Sequence, residues 1–302
     1  MAEFEDRHWT SEDGLRLHYR DYAGPGVGSG ADKNAKSPVT ESPVICIPGL
    51  TRNARDFEAL AKRLATRRRV LCLDLRGRGD SAYAKDPATY TPPTYVTDLE
   101  ALLDQAGIAR FVAVGTSLGG LVTMLFAARN ADRISGAVLN DVGPEVSGAG
   151  IARIGGYVGQ GRSFETWMHA ARALQESQGE MFPDLSIADW LTMAKRSMTL
   201  GSNGRIVFDY DMKISEPFAT PSNAAPPDLW PCWHALAGRP VPVPVLVLRG
   251  AMSDILAPET AARMIAEAPD AELVTLPRLG HAPTLDEPAA VAAIERLLDR
   301  AE

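Results

Sequence analysis

Six short apolar runs recur along the 302-residue chain: VICIPG, VLCLDL, FVAVG, GAVLND, VPVLVLRG and AELVTLP. Each is rich in β-branched residues and shows no polar alternation, so both of its faces must be covered. Stretches of helical periodicity follow most of them, including ARDFEALAKRLA, TYVTDLEALLDQAG, LVTMLFAARN, PETAARMIAEA and AAVAAIERLLDRA. Buried strands alternating with helices predict an α/β fold with a mostly parallel central sheet and helices on both faces. The alternation breaks after GAVLND and resumes only at VPVLVLRG. The intervening stretch is rich in Met, Trp and Gly, with helical segments at SFETWMHAARALQES and IADWLTMAKRSM. The expected organisation is one core, residues 1–143 and 236–302, interrupted by a mainly helical insertion over 144–235. Ahead of the first core strand, DRHWTS and LRLHYRDY flank Glu12-Asp13-Gly14 as a hairpin, and residues 24–43 read as a flexible loop rich in Gly, Ser, Pro and Lys.

Composition narrows the partners. A formal net charge of −7 and the absence of a basic stripe beyond Arg67 to Arg69 argue against nucleic acid. No run approaches the roughly 20 apolar residues of a membrane helix. The N-terminal stretch MAEFEDRHWTSEDG is polar and acidic, with no signal-peptide pattern. Cys46, Cys72 and Cys232 are widely spaced, with no CxxC and no histidine at metal spacing, so neither a metal nor a cofactor is expected. A reduced, cytoplasmic protein acting on a small molecule is the resulting expectation.

The chemistry concentrates in FVAVGTSLGG, Phe111 to Gly120. Strand, Gly115-Thr116-Ser117-Leu118-Gly119, then helix is the order of a nucleophile elbow, where a sharp turn exposes a serine hydroxyl above the sheet edge. The stretch lacks the Gly-Lys-Ser/Thr ending of a P-loop and the G-x-G-x-x-G spacing of a dinucleotide site. A serine hydroxyl needs a base. Of His8, His18, His169, His234 and His281, only His281 occupies a loop directly after a core strand, in AELVTLPRLGHAPTLDEP. Open α/β sheets place their sites at such strand ends. The histidine needs a carboxylate to fix its tautomer. Asp254 in VLRGAMSDIL is preferred, because Ser, Asp and His then follow one another along successive strands. Asp141 in GAVLNDVGP is its rival at another strand end, whereas Asp286 suits the start of the last helix.

These segments together resemble the α/β-hydrolase fold family. VICIPGLTRNARDFEALAKRLA, VLCLDLRGRGDS, VAVGTSLGG, VLRGAMSDIL and LGHAPTLDEP stand in the family's order. The resemblance implies Ser117 as nucleophile, His281 as base, Asp254 as its partner, and a helical cap over the site. It also implies an oxyanion hole from the backbone N–H groups of Leu118 and Leu50. Many relatives read His-Gly where this chain reads Pro48-Gly49, but the donor is a backbone group. The implied activity is a serine carboxylesterase for small to medium esters. Alternatives are a lactonase, a carbon–carbon bond hydrolase of aromatic ring-cleavage products, and a non-catalytic binding protein on the same scaffold. Thr116 and HAPT stand where the carbon–carbon hydrolases carry Asn and Trp, and Ser117 excludes the aspartate nucleophile of dehalogenases and epoxide hydrolases. Arg78-Gly79-Asp80 reads as a structural turn. Trp167, Trp190, Met168, Met181, Met193 and Met198 read as packing rather than as a substrate pocket.

Overall fold

The computed structural model describes residues 4–25, 41–219, 227–268 and 270–301. Most of the expected Gly- and Ser-rich loop, residues 26–40, lies outside them. The chain opens with an antiparallel hairpin, β1 (Phe4–Thr10) and β2 (Arg16–Tyr22). The strands β3 (Val44–Ile47), β4 (Val70–Asp74), β5 (Phe111–Thr116) and β6 (Ile134–Asn140) come next. After an excursion that carries the short strands β7 (Ser163–Phe164), β8 (Met198–Leu200) and β9 (Ile206–Phe208), the core closes with β10 (Val245–Gly250) and β11 (Glu272–Leu276). The main sheet runs β1-β2-β4-β3-β5-β6-β10-β11, and it is parallel from β4 to β11.

Strand geometry explains the continuous apolar runs. Successive side chains point to opposite faces, so Val44 and Cys46 join one hydrophobic layer while Ile45 and Ile47 join the other. In β5, Val112 and Val114 pair with the first layer, and Phe111 and Ala113 with the second. The first layer is sealed by α1 (Glu58–Leu64) through Leu60 and Leu64. On the second, α2 (Pro92–Gln105) contributes Val96, Leu99 and Leu103, and α3 (Leu118–Asn130) contributes Val122 and Phe126. Cys46 and Cys72 are free and buried, and act as small core residues.

The excursion contains α4 (Gly148–Gly155), α5 (Trp167–Gln178), α6 (Ile187–Ser197) and the short α7 (Glu216–Ala219). It has its own small core, in which Leu174, Trp190, Met193, Met198 and Ile206 are buried. The packing reading of Trp190 and Met198 therefore holds. The segment is more than helical, since β7, β9 and β8 form an antiparallel three-stranded sheet. Next comes α8 (Trp230–Ala237), whose Trp233 and Leu236 belong to the main core. Two helices finish the core: α9 (Pro258–Glu267) through Met264, and α10 (Pro288–Arg300) through Ile294, Leu297 and Leu298. Among the described residues no helix is long and apolar enough to cross a membrane.

A buried polar cluster ties the hairpin to the sheet. His18 Nδ1 lies 2.7 Å from Asp74 Oδ2 and its Nε2 lies 3.0 Å from Asp6 Oδ1. Asp74 also accepts the backbone N–H groups of Ala54 and Asp80 at 2.7 and 3.0 Å. Burial disfavours charge on His18, but hydrogen bonds and attraction from Asp74, with help from Asp6, outweigh it and raise its pKa above the ordinary 6.5. A raised folded-state pKa stabilises the fold fully below the unfolded value and loses that contribution as pH climbs through the folded one. We therefore expect the stability gap between wild type and His18→Gln, read from urea midpoints, to be widest near about pH 6 and to narrow toward about pH 9.

Candidate active site

β5 occupies the middle of the sheet, between β3 and β6. It leads directly into Ser117, whose backbone adopts φ 51° and ψ −113°, a conformation that non-glycine residues rarely hold. Close backbone packing holds that turn. A Cβ on Gly115 would run into the carbonyl of Gly119, and a Cβ on Gly119 would run into the carbonyl of Ile47 at the end of β3. The Ser117 N–H donates to Asn140 O at 2.9 Å, which ties the turn to the end of β6. The glycines of the motif are thus demanded by contact, and the contact leaves the serine side chain projecting from a tight turn.

His281 reaches Ser117 from the loop after β11. Its Nε2 lies 2.8 Å from Ser117 Oγ, and its Nδ1 lies 2.8 Å from Asp141 Oδ2. A carboxylate only accepts, so Nδ1 carries the hydrogen and Nε2 is left to accept from the Ser117 hydroxyl. Asp141 is fully buried. It is satisfied by the Gly250 N–H on Oδ1 at 2.9 Å and by the Ser253 hydroxyl on Oδ2 at 2.6 Å. Like Ser117 it holds a positive φ, 59°.

This corrects the expectation for Asp254. Its side chain is 31% exposed and is held by Arg153 of α4, with Nε at 2.5 Å and Nη2 at 2.9 Å. Those hydrogen bonds keep the carboxyl below its usual range, only partly opposed by burial. The physical reason lies in the sheet order. β6 stands between β5 and β10, so the residue that directly follows β6 is nearer the serine turn than one four positions past the end of β10. Asp286 is likewise elsewhere, paired with Arg196 at 2.7 Å. Two other histidines have partners of their own: His18 sits in the Asp74 cluster, and His234 bonds Glu267 at 2.7 Å.

Leu118 opens α3 directly after the serine. Leu50 follows Gly49, where an added Cβ would stand 3.7 Å from Ser117 Cβ. Neither backbone N–H donates to another described residue outside its own element. The Leu50 carbonyl accepts from Arg78 Nε at 2.9 Å, so the arginine of the Arg78-Gly79-Asp80 turn fixes the loop beside the serine. A pocket of about 460 Å³ opens over Ser117 and His281, lined by Gly49 and Leu50 from the core and by Tyr157, Met193 and Phe208 from the excursion. Of the Met and Trp residues singled out in the sequence, Met193 alone lines it among the described residues.

A sequence model of the alpha/beta hydrolase family matches residues 44–294, a span that holds the whole Ser117–His281–Asp141 series. The chain belongs to the alpha/beta hydrolase family. A crystal structure of an alpha/beta hydrolase from Novosphingobium aromaticivorans is similar at 64% identity and a TM-score of 0.90, with 100% of both chains covered. The 3-hydroxybutyrate-oligomer hydrolase of Cupriavidus necator is 34% identical over 84% of this chain and 87% of its own length. The sn-1-specific diacylglycerol lipase ABHD11 of Mus musculus is 26% identical over 81% and 76% respectively.

Sequence reasoning missed Ser253 and Asn140. Ser253 shares the Asp141 carboxylate with His281. The Asn140 amide donates to Thr116 Oγ1 at 3.1 Å and to Pro283 O at 2.9 Å, joining the serine turn to the histidine loop. The signal for both was the same, a small polar residue at or just past a core strand end. The packing argument is tested by Gly119→Ala. We expect it to cost about 1–3 kcal/mol in chemical denaturation, because the added carbon meets backbone rather than a side chain that can turn away.

Proposed function

We propose that this hydrolase-family protein is a serine carboxylesterase working through an acyl-enzyme on Ser117, with His281 as base and Asp141 as the acid. The observation that carries the reading is the unbroken hydrogen-bond series Ser117–His281–Asp141, both links at 2.8 Å. Ser117 Oγ attacks the ester carbonyl carbon while its proton passes to His281 Nε2. The Leu118 and Leu50 N–H groups donate to the carbonyl oxygen as negative charge develops on it. His281 returns the proton to the alcohol oxygen as the carbon–oxygen bond breaks, which leaves the acyl group on Ser117. Water, deprotonated by His281, then attacks the acyl carbonyl and releases the acid. Asp141 holds the imidazole in one tautomer and offsets its transient positive charge. The activities of the two relatives, hydrolysis of hydroxybutyrate oligomers and of diacylglycerol, support cleavage of a carboxylic ester without choosing between those substrates.

Two comparisons test the assignment on 4-nitrophenyl esters from acetate to octanoate. Ser117→Ala abolishes hydrolysis; equal rates for the two proteins would sink the nucleophile. Asp141→Asn costs about 10³- to 10⁴-fold in kcat, whereas Asp254→Asn costs less than about tenfold. The reverse order would restore Asp254 as the acid.

A further inference from the structure

Beside Ser117 the pocket wall carries two arginines from unrelated parts of the chain. Arg52 lies on the loop after β3, and its Cγ would stand 3.5 Å from a Cβ on Gly49. Arg153 belongs to α4 of the excursion. Each is gripped by a carboxylate through the same edge. Asp56 takes Arg52 Nε and Nη2, both at 2.6 Å, and Asp254 takes Arg153 Nε and Nη2. That grip orients the planar fork and leaves the Nη1 end outside both pairs. The Tyr157 hydroxyl lies within electrostatic reach of both guanidiniums. Desolvation of the hydroxyl outweighs their pull and raises its pKa above the ordinary value. All three residues line the same pocket as Ser117 and His281.

A third arginine, solvent-exposed Arg162, stands without a carboxylate partner among the described residues. It lines the pocket with its guanidinium 5.6 Å over the Phe164 ring. Most of the pocket's own carboxylate oxygens are engaged, Glu287 Oε2 excepted. Asp286 pairs with Arg196, Asp189 caps α6 through Ser186, and Glu287 accepts from Thr284. A neutral ester tail lying over this wall would leave its guanidinium N–H groups and the phenol unmatched, which costs free energy. A carboxylate is acceptor-only and matches such donors.

We propose that Arg52, Arg153, Arg162 and Tyr157 form an anion subsite, and that the preferred substrates are esters carrying a free carboxylate a few atoms from the scissile carbonyl. The proposal rests on the esterase reading above and names the substrate class of that same site. Asp254 becomes a positioning residue for Arg153.

Matched esters test it. One pair is mono-4-nitrophenyl glutarate and its methyl ester, with the carboxylate on the acyl side. The other is the linear dimer of 3-hydroxybutyrate and its methyl ester, with the carboxylate on the alcohol side. Wild type favours the charged member of at least one pair by about tenfold or more in kcat/KM, mainly through KM, and the preference shrinks in high salt. In Arg162→Gln, which breaks no ion pair, and in Arg153→Gln the ratio falls toward one. Charged and neutral esters cleaved alike by wild type, or a preference that survives both variants, would overturn the subsite while leaving the esterase reading intact. Calorimetry on Ser117→Ala reads the same selectivity without chemistry, as the Kd ratio of monomethyl to dimethyl glutarate. Tighter binding of the monoanion that Arg162→Gln abolishes supports the subsite even if no ester is cleaved, and equal binding refutes it.

Discussion

The Asp141 carboxylate is a charge placed where water does not reach, and no arginine or lysine pairs with it among the described residues. Its burial is tolerable only because three donors from separate segments meet it: the Gly250 N–H, the Ser253 hydroxyl and the His281 ring. An isolated buried carboxylate would be neutralised or expelled. Satisfying it therefore forces the end of β10 and the loop after β11 to gather around the end of β6. The candidate site is the geometric by-product of that gathering, since His281 bonds Asp141 from a position that also reaches Ser117.

The buried strands and the serine turn were legible because their constraints are local. A β-branched run without polar alternation announces two covered faces, and the layer assignment of Val44 to Ile47 follows from alternation alone. Gly115 and Gly119 announced a tight turn, and the structure adds the backbone they press against. His281 was legible because no other histidine leaves the end of a core strand. The carboxylate that meets His281 was not, because chain order says which strand comes next and not which strand lies alongside. Asp141 and Asp254 are equivalent in the first sense and different in the second. Ser253 went unnoticed for a related reason: its value depends on sharing a partner 112 positions away. The small sheet of the excursion was hidden by strands of two or three residues, too short to show a period.

Polar contacts also join the excursion to the core. Arg153–Asp254, Arg55–Asp209, Arg196–Asp286 and Arg278–Asp184 all cross the boundary. Backbone bonds from Gly280 N to Met181 O and from Asp211 N to Gly77 O accompany them. Partly exposed ion pairs contribute little each and are weakened by salt. The small hydrophobic cluster of the excursion is packed by Leu279 of the core, and Val158, Tyr210 and Ile214 of the excursion are buried in the main cluster, so apolar packing joins the two parts as well as ion pairs. Two of those pairs, Arg153–Asp254 and Arg196–Asp286, also bring their arginines to the wall of the pocket, which places the seam and the site in contact.

The end of β6 anchors both loops of the candidate site. Asn140 bonds the serine turn with its carbonyl and spans to the histidine loop with its amide, and the next residue supplies the carboxylate. The serine turn and the histidine loop are thus both tied to two adjacent residues, just before the chain departs from the core. The excursion that begins beyond Gly143 supplies none of Ser117, Asp141 and His281, but its Met181 carbonyl accepts from the Gly280 N–H beside His281. The frame that aligns the serine turn and the histidine loop is therefore short and central, while the pocket above it is walled by core and excursion alike.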